Sequence, residues 1–177
     1  MGSALFAVPV GYAHASLLWN WSYFGQGITA FGTFNTTDVA DGQGFYEILS
    51  IAGTRNGETI TGLQPTGNPI PGNEPFAVDN LVRLTGSQLT GDGFGYQTAS
   101  GSYASPFFAN FLATPGYLEV HSVAPFVPGA FNFGPEDSEL PIVFSASLAT
   151  TVPEPETHLL LLAGLGMMAY GQRRRKA

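Results

Sequence analysis

The sequence predicts an all-β protein, either an antiparallel β-sandwich or a flattened barrel, that ends in a single hydrophobic C-terminal helix. Three observations predict this class. The 177 residues include 23 glycines and 13 prolines, about a fifth of the chain, against roughly 12% in average proteins. Alternation of apolar and polar residues is common over residues 16–151, whereas a helical period is not sustained there. A hydrophobic fraction of 44% with 14 phenylalanines argues against disorder.

The first fifteen residues are interpreted as a signal peptide. They hold a short apolar run, and Ala13 and Ala15 flank a histidine in an A-x-A pattern typical of signal peptidase cleavage. No lysine or arginine precedes Arg55, whereas a complete signal begins with positive charge. We therefore interpret residues 1–15 as the later part of a signal peptide whose start codon lies upstream. The alternative is an ordinary first strand.

The first predicted strand of the β-domain, residues 16–151, is "LWNWSYF". It places Trp19, Trp21 and Tyr23 on one face, with Asn20 and Ser22 on the other. Such a row of aromatic rings is compatible with two structures. It can be the core face of a sandwich, which we favour, or a platform on which sugar rings stack.

The remaining strands follow at spacings near ten residues, which is typical of sandwiches and small barrels. Asn56 and Gly57 predict a tight hairpin turn, because both turn positions require positive φ. A loop rich in Pro, Gly and Asn runs from Gln64 to Pro75. The turn lies in the hairpin segment "TRNGETITGL", and the other predicted strands are "GITAFGTFNTT", "GFYEILSIAG", "VDNLVRLTG", "GFGYQTASG", "PFFANFLA", "YLEVHSV" and "PIVFSASLA".

The distribution of charge predicts that nucleic acid is not a partner. Residues 16–151 hold eleven carboxylates against Arg55 and Arg83, a net charge of −9. A body of this charge repels phosphate backbones. The chain has no cysteine, so disulfides, cysteine-ligated zinc and thiol nucleophiles are excluded.

The β-domain shows no pattern typical of an active site, and we predict no catalytic residue, no metal and no cofactor. A G-x-S-x-G elbow and a glycine-rich phosphate loop are both absent. Glu119 and His121 would share one strand face, but two ligands are too few for a metal, and a solvated face is the favoured interpretation. Two acidic loop clusters resemble calcium ligands in chemistry, although neither has EF-hand spacing, and structural or solubilising roles are favoured. They are Asp38 with Asp41, and Glu136 with Asp137 and Glu139.

The C-terminal segment, residues 152–177, predicts a short membrane helix with a basic stop. Pro153 and Pro155 prevent a helix from starting before Glu156. The uncharged stretch that follows would give about 24 Å of helix against roughly 30 Å of hydrocarbon, a gap that arginine snorkelling and bilayer thinning can cover. It is apolar on every face, unlike a surface helix; a buried core helix is the alternative. The helix residues are Leu159, Leu160, Leu161, Leu162, Ala163, Gly164, Leu165, Gly166, Met167, Met168, Ala169 and Tyr170, and the stop is Arg173, Arg174, Arg175 and Lys176.

This tail resembles the PEP-CTERM sorting signals that exosortases process in Gram-negative bacteria. The resemblance covers three parts in fixed order: the motif Val152, Pro153, Glu154, Pro155 and Thr157, the Leu-rich apolar run, and the basic end. Glu156 and His158 depart from the residues that the family more often has there. The resemblance implies export through the secretion machinery, transient anchoring in the inner membrane, cleavage by an exosortase near Pro153–Pro155, and release to the cell surface or an exopolysaccharide matrix.

The leading expectation from the sequence is therefore an exported, non-enzymatic structural or interaction domain carried by a sorting signal. The alternative is a secreted carbohydrate-binding module, with or without bound calcium, that uses Trp19, Trp21 and Tyr23. A secreted hydrolase with catalytic carboxylates is a third class, and it would need a cleft holding a carboxyl group of raised pKa.

Overall fold

The computed structural model describes residues 16–126 and 139–149, and this part of the chain contains β-strands and no helix. The all-β prediction is confirmed. The predicted C-terminal helix lies outside the described residues. The strands are β1 (Ser16–Gly25), β2 (Ile28–Thr37), β3 (Phe45–Arg55), β4 (Glu58–Leu63), β5 (Leu81–Arg83), β6 (Tyr96–Thr98), β7 (Tyr103–Ala109), β8 (Gly116–Ser122) and β9 (Leu140–Leu148).

Eight of these strands form a closed antiparallel barrel, so the sandwich alternative is wrong. The barrel strands pair in chain order, with β4 pairing directly with β6. The ninth strand, β5, is not part of the barrel and pairs with the first residues of β3. Closure comes from the pairing of β9 with β1, in which Trp19 lies opposite Leu148 and Gly25 opposite Ile142. Alternation along a strand fixes which face is buried but not which strands meet, and both architectures satisfy the same pattern.

The predicted strand segments all contain a strand, and the predicted Asn-Gly turn is present. Asn56 and Gly57 have φ values of 49° and 81° and connect β3 to β4. The Asn56 side chain also joins this turn to the β1–β2 hairpin, since its Oδ1 accepts from Thr29 N at 2.8 Å and its Nδ2 donates to Gly27 O at 3.0 Å. Two neighbouring hairpins are thereby held together at one end of the barrel.

The barrel interior is filled by aromatic and aliphatic side chains. Trp21 stacks on Phe34 with ring centroids 5.2 Å apart, and Phe94 meets Phe34 edge-on at 5.0 Å. Trp19 donates from Nε1 to Thr36 Oγ1 at 2.9 Å, which satisfies its polar atom in the core. Other core residues are Ile28, Ala30, Ile48, Ile60, Val82, Leu89, Ala104, Ile142, Phe144 and Ala146.

The wall of the barrel has one very close approach, between β2 and β3. Gly32 lies opposite Gly53 in this pair. A Cβ on Gly32 would be 1.9 Å from the carbonyl oxygen of Ala52, and a Cβ on Gly53 would be 2.2 Å from that of Phe31. Glycine is therefore required at both positions, because any side chain would force the strands apart.

The two ends of the barrel differ in construction. We call the end where β1 begins and β9 ends the terminal end, and the opposite end the mouth. A plug, residues 81–89, closes the terminal end: Val82 and Leu89 are fully buried in the barrel core. Gln88 fastens the plug to β9, since its Nε2 donates to Ala146 O at 2.6 Å and its Oε1 accepts from Ala146 N at 2.9 Å.

A second apolar cluster lies on the outer face of β7 and β8, beneath the long β4–β6 connection. Ile70 of this connection is fully buried and packs with Phe107, Ala109, Leu118 and Val120. Asn80 anchors the connection, because its Nδ2 donates to Gln64 O and Thr66 Oγ1 and its backbone oxygen accepts from Ile48 N. The outer cluster gives β7 and β8 a buried face on both sides of the wall.

Candidate functional site

A buried polar cluster lies inside the barrel near the mouth. Arg55 on β3 and Glu119 on β8 form a bidentate ion pair, with Nε 2.8 Å from Oε1 and Nη2 2.7 Å from Oε2. Tyr23 on β1 donates its hydroxyl to Glu119 Oε1 and also hydrogen-bonds the hydroxyl of Tyr96 on β6. Glu119 is completely inaccessible to solvent, and Arg55 is 8% exposed. The cluster therefore links four strands across the interior.

The electrostatics of the cluster favour one charge state. Burial raises the pKa of the Tyr23 hydroxyl well above its usual value, and the negative charge of Glu119 raises it further. Burial and the same carboxylate raise the pKa of Tyr96. Burial lowers the pKa of Arg55, but the hydrogen bonds and charge of Glu119 outweigh that effect, so that the net shift is upward. Both tyrosines are thus neutral and Arg55 is cationic.

This arrangement limits what Glu119 can do chemically. Its two oxygens accept three hydrogen bonds, from Arg55 Nε, Arg55 Nη2 and the Tyr23 hydroxyl. A general base needs a lone pair directed at a substrate proton, within hydrogen-bond reach. These donors surround a carboxylate that has no solvent exposure. The geometry therefore fits a structural role for Glu119, in which it holds strands together, better than a catalytic role.

The mouth itself holds a cavity of about 490 Å³ above the polar cluster. Its lining comes from the two joined hairpins and from the ends of β8 and β9. His121 contributes from β8, two residues beyond Glu119 and on the same inward face. The prediction that these two residues share a face is confirmed, but the predicted solvated face is wrong for Glu119, which is buried. The lining residues are Gln26, Gly27, Ile28, Arg55, Asn56, His121, Leu140 and Pro141.

A second concavity, the side groove, runs along the outer face of β7 and β8 and has a volume of about 350 Å³. Phe107 at its base stacks with Phe111, ring centroids 6.5 Å apart and planes inclined by 25°. Phe76 of the long connection, also a lining residue, is 56% exposed. The polar lining consists of Asn73, Asp92, Ser105, Asn110 and Glu139. Aromatic faces beside amides and carboxylates can bind a ligand that has apolar ring faces and many hydroxyl groups.

The aromatic row predicted on β1 lies in the core, as we favoured. Trp19, Trp21 and Tyr23 are at most 2% exposed. Their ring faces contact other core rings and are not available to a sugar. Burial therefore removes the observation on which a carbohydrate site at these three residues was based. Trp21 Nε1 has no hydrogen-bond partner among the described residues.

The acidic loops show local structural roles where they are described. Asp41 Oδ1 accepts from the backbone N–H groups of Gln43 at 2.8 Å and Phe45 at 2.9 Å, which shapes the β2–β3 loop. Within residues 16–126 and 139–149, no cluster of three or more histidines and carboxylates could hold a metal ion. Glu139 lines the side groove, whereas Glu136 and Asp137 lie outside the described residues.

The predicted targeting residues also lie outside the described part of the chain. These are the signal-peptide residues Ala13 and Ala15, the motif at Val152–Pro155 with Thr157, the apolar residues 159–170 and the basic residues 173–176. In the described ranges, no helix has the length and apolar character needed to span a membrane.

Comparison with known proteins bears on the tail. Residues 151–176 match the family model of the PEP-CTERM protein-sorting motif. The chain carries a PEP-CTERM sorting signal. No curated protein and no solved structure matched the chain. The PEP-CTERM signal implies an exported protein that passes through a membrane-anchored precursor, and exosortase-dependent processing is the general route for such signals.

Proposed function

We propose that this protein is a non-enzymatic structural or interaction domain that an exosortase releases to the cell surface or into an extracellular polysaccharide matrix. The PEP-CTERM match carries this proposal. The order of the chain supports it, since the last described strand ends at Leu148 and the motif begins at residue 151. A cut near Pro153–Pro155 would therefore separate the tail from the barrel and leave β1 to β9 intact.

The partition of charge supports the same route. Four of the six basic residues stand together at Arg173–Lys176, whereas residues 16–151 have a net charge of −9. A basic cluster directly after an apolar segment favours retention on the cytoplasmic side. We expect it to hold the precursor in the inner membrane until the exosortase cuts.

The non-enzymatic role of the barrel is supported by the cluster near the mouth. Glu119 is held by three donors and has no exposure. A hydrolase would instead need a carboxyl group of raised pKa in a cleft. Burial raises the pKa of Asp79, but Asp79 lines neither the side groove nor the mouth cavity.

The direct test is the intact mass of the protein recovered from membranes and from culture medium of the native host. We expect a released form that begins at Ser16 and ends between Thr151 and Pro155. A full-length C-terminus in the membrane with no released form would contradict exosortase processing.

A variant in which Arg173, Arg174, Arg175 and Lys176 are all replaced by Glu sharpens this test. Retention and processing should fail, because the segment loses its positive stop. Its matched control replaces the three arginines by lysine, which keeps the charge, and should mature normally. Normal maturation of the glutamate variant would contradict the proposal.

A second candidate function, carbohydrate binding, is favoured by the side groove. The exposed rings of Phe76 and Phe111 lie beside the buried Phe107. Asn73, Asn110, Asp92 and Glu139 offer hydrogen-bonding groups, and the described lining holds no cation. This chemistry suits a neutral polysaccharide better than an anionic one. We expect the Phe76→Ala and Phe111→Ala variants to bind host exopolysaccharide roughly tenfold more weakly in calorimetry, a loss of about 1.4 kcal/mol.

The control for the groove is Phe24→Ala. Phe24 is 58% exposed, close to the 56% of Phe76, and lies on β1 outside the groove. Its substitution should leave polysaccharide affinity unchanged. Equal losses in all three variants, or no binding by the unaltered protein, would contradict a carbohydrate site in the side groove.

A further inference from the structure

The two segments that direct the chain to a membrane both join the barrel at its terminal end. The segment interpreted as a signal peptide precedes Ser16, the first residue of β1, and the PEP-CTERM signal begins two residues after Ala149. Ser16 begins β1, and Ala149 directly follows the neighbouring strand β9. Ala149 N donates to Leu18 O at 2.8 Å. In a closed antiparallel barrel with an even number of strands, the start of the first strand and the end of the last strand lie at the same end.

The connection between the barrel and the sorting motif is too short to hold them far apart. Four residue steps separate Ala149 from Pro153, and a fully extended chain covers at most about 14 Å in that length. The predicted membrane segment begins at Leu159, ten residue steps after Ala149, and a fully extended chain covers at most about 36 Å in that length. The tether therefore keeps the terminal end of an anchored precursor within that distance of the bilayer surface.

This end of the barrel presents apolar side chains from several separate elements. Val39 in the β2–β3 loop is 73% exposed, Leu84 at the end of the plug hairpin is 45% exposed, and Leu112 in the β7–β8 loop is 37% exposed. Leu18 on β1 and Leu148 on β9 are also exposed there. Such side chains are typical of loops that enter the interfacial region of a membrane.

We propose that the terminal end docks on the lipid bilayer in the anchored precursor, with Val39, Leu84 and Leu112 inserted into the interface. The inference rests on the proposed function, since the tail must first anchor the chain. Contact is apolar rather than electrostatic: Asp38 and Asp41 are the charged residues of the β2–β3 loop, and they would be repelled by anionic lipid. Docking therefore depends on the anchoring tail. Once docked, the barrel has its mouth cavity and polar cluster directed away from the membrane.

The absence of cysteine from the chain makes a direct test possible. Single cysteines are introduced in the full-length protein at Val39, at Leu112 and, as a control, at Phe24 near the mouth, and each is labelled with an environment-sensitive nitrobenzoxadiazole dye. The protein is reconstituted into phosphatidylethanolamine–phosphatidylglycerol vesicles with or without doxyl-labelled lipid. We expect blue-shifted, strongly quenched emission from Val39→Cys and Leu112→Cys, and unchanged emission from Phe24→Cys, in low and high salt alike.

One reporter placed in two double-serine backgrounds separates docking from structural disturbance. A reporter at Leu84→Cys should lose its quenching when Val39 and Leu112 are replaced by Ser. It should keep its quenching when Phe24 and Val143, an exposed cross-strand pair near the mouth, are replaced by Ser. Equal loss in both backgrounds would overturn the proposed contact.

The outcomes also separate the inference from the proposed function. If the full chain floats with the vesicles but the Val39 and Leu112 reporters stay in water, anchoring stands and docking is overturned. A blue shift that depends on protein concentration without lipid quenching would indicate contact between two copies and would also overturn docking. If the full chain does not float, anchoring itself is overturned and docking falls with it.

Discussion

The terminal end and the mouth of this barrel are stabilised by opposite kinds of interaction. At the terminal end, a hairpin inserts two fully buried aliphatic side chains, Val82 and Leu89, and Gln88 ties it to β9. Near the mouth, the interior holds the Arg55–Glu119 ion pair and two buried tyrosine hydroxyl groups. The first depends on apolar burial, which pH hardly changes. The second depends on charge states, so the mouth is the end that should respond to pH.

The largest expected effect comes from breaking the ion pair. Glu119→Ala leaves the buried guanidinium of Arg55 and the Tyr23 hydroxyl without their acceptor, and we expect a loss of about 3–5 kcal/mol in the free energy of unfolding. Urea denaturation measures it. The double variant Arg55→Met, Glu119→Leu should recover most of the loss, since both charges are then removed. Glu47→Ala, at an exposed carboxylate on β3, is the control. A double variant no more stable than Glu119→Ala would contradict this account of the mouth.

The next largest loss of stability is expected in the plug, residues 81–89. Leu89→Ala removes a fully buried side chain and should lower the free energy of unfolding by about 2–4 kcal/mol. Leu84→Ala, in the same hairpin but exposed, should change it by no more than about 0.5 kcal/mol. Hydrogen exchange should accelerate at the Ala146 amide, which Gln88 protects, before it accelerates at Glu119. Simultaneous acceleration at both ends would show that the plug and the mouth unfold as one unit.

Alkaline pH should weaken the mouth. The folded-state pKa values of Tyr23 and Tyr96 are raised, so their contribution to stability is complete below the unfolded pKa of about 10 and is lost as the pH rises above it. Tyrosinate absorbance should therefore show two groups that ionise together with loss of the β-sheet circular dichroism signal. Ionisation of all seven tyrosines near pH 10 in a protein that stays folded would contradict their burial in this network.

The smallest expected change in stability comes from Glu58, at the surface beside the mouth. The Ser100 hydroxyl lowers the pKa of Glu58, and the backbone N–H of Ser100 also donates to this carboxylate. A lowered folded-state pKa contributes stability above the unfolded pKa, and this is lost as the pH falls through the folded value. Glu58→Gln should therefore cost a few tenths of a kcal/mol at neutral pH and nothing in acid. An equal effect at both pH values would indicate lost packing instead of lost charge.

Local features of the fold were readable from the sequence because they depend on residues close together in the chain. The Asn56-Gly57 turn and the inward face of Trp19, Trp21 and Tyr23 both follow from short patterns. Closure of the barrel was not readable, because it depends on the pairing of β1 with β9 at opposite ends of the domain. A period-2 pattern is the same in a sandwich and in a barrel.

The site was harder to predict than the fold. Arg55 and Glu119 are 64 residues apart, and nothing between them indicates that they meet. One signal was present in the sequence: Arg55 is one of only two basic residues in an acidic body. The side groove gave no local signal, since Phe76, Phe107 and Phe111 come from separate segments. The tail was recognisable because its three parts are contiguous.

The direction of β9 has a mechanical consequence. The strand leaves the barrel toward the tail and pairs on one side with β1 over seven residues and on the other with β8 over three. A pull on the tail, resisted by a load bound elsewhere on the barrel, acts along the strand axis and perpendicular to its ladder hydrogen bonds. Those bonds then share the force in shear and do not open one after another. An anchored precursor could thus bear tension from a surrounding polymer network through β9 until the tail is cut.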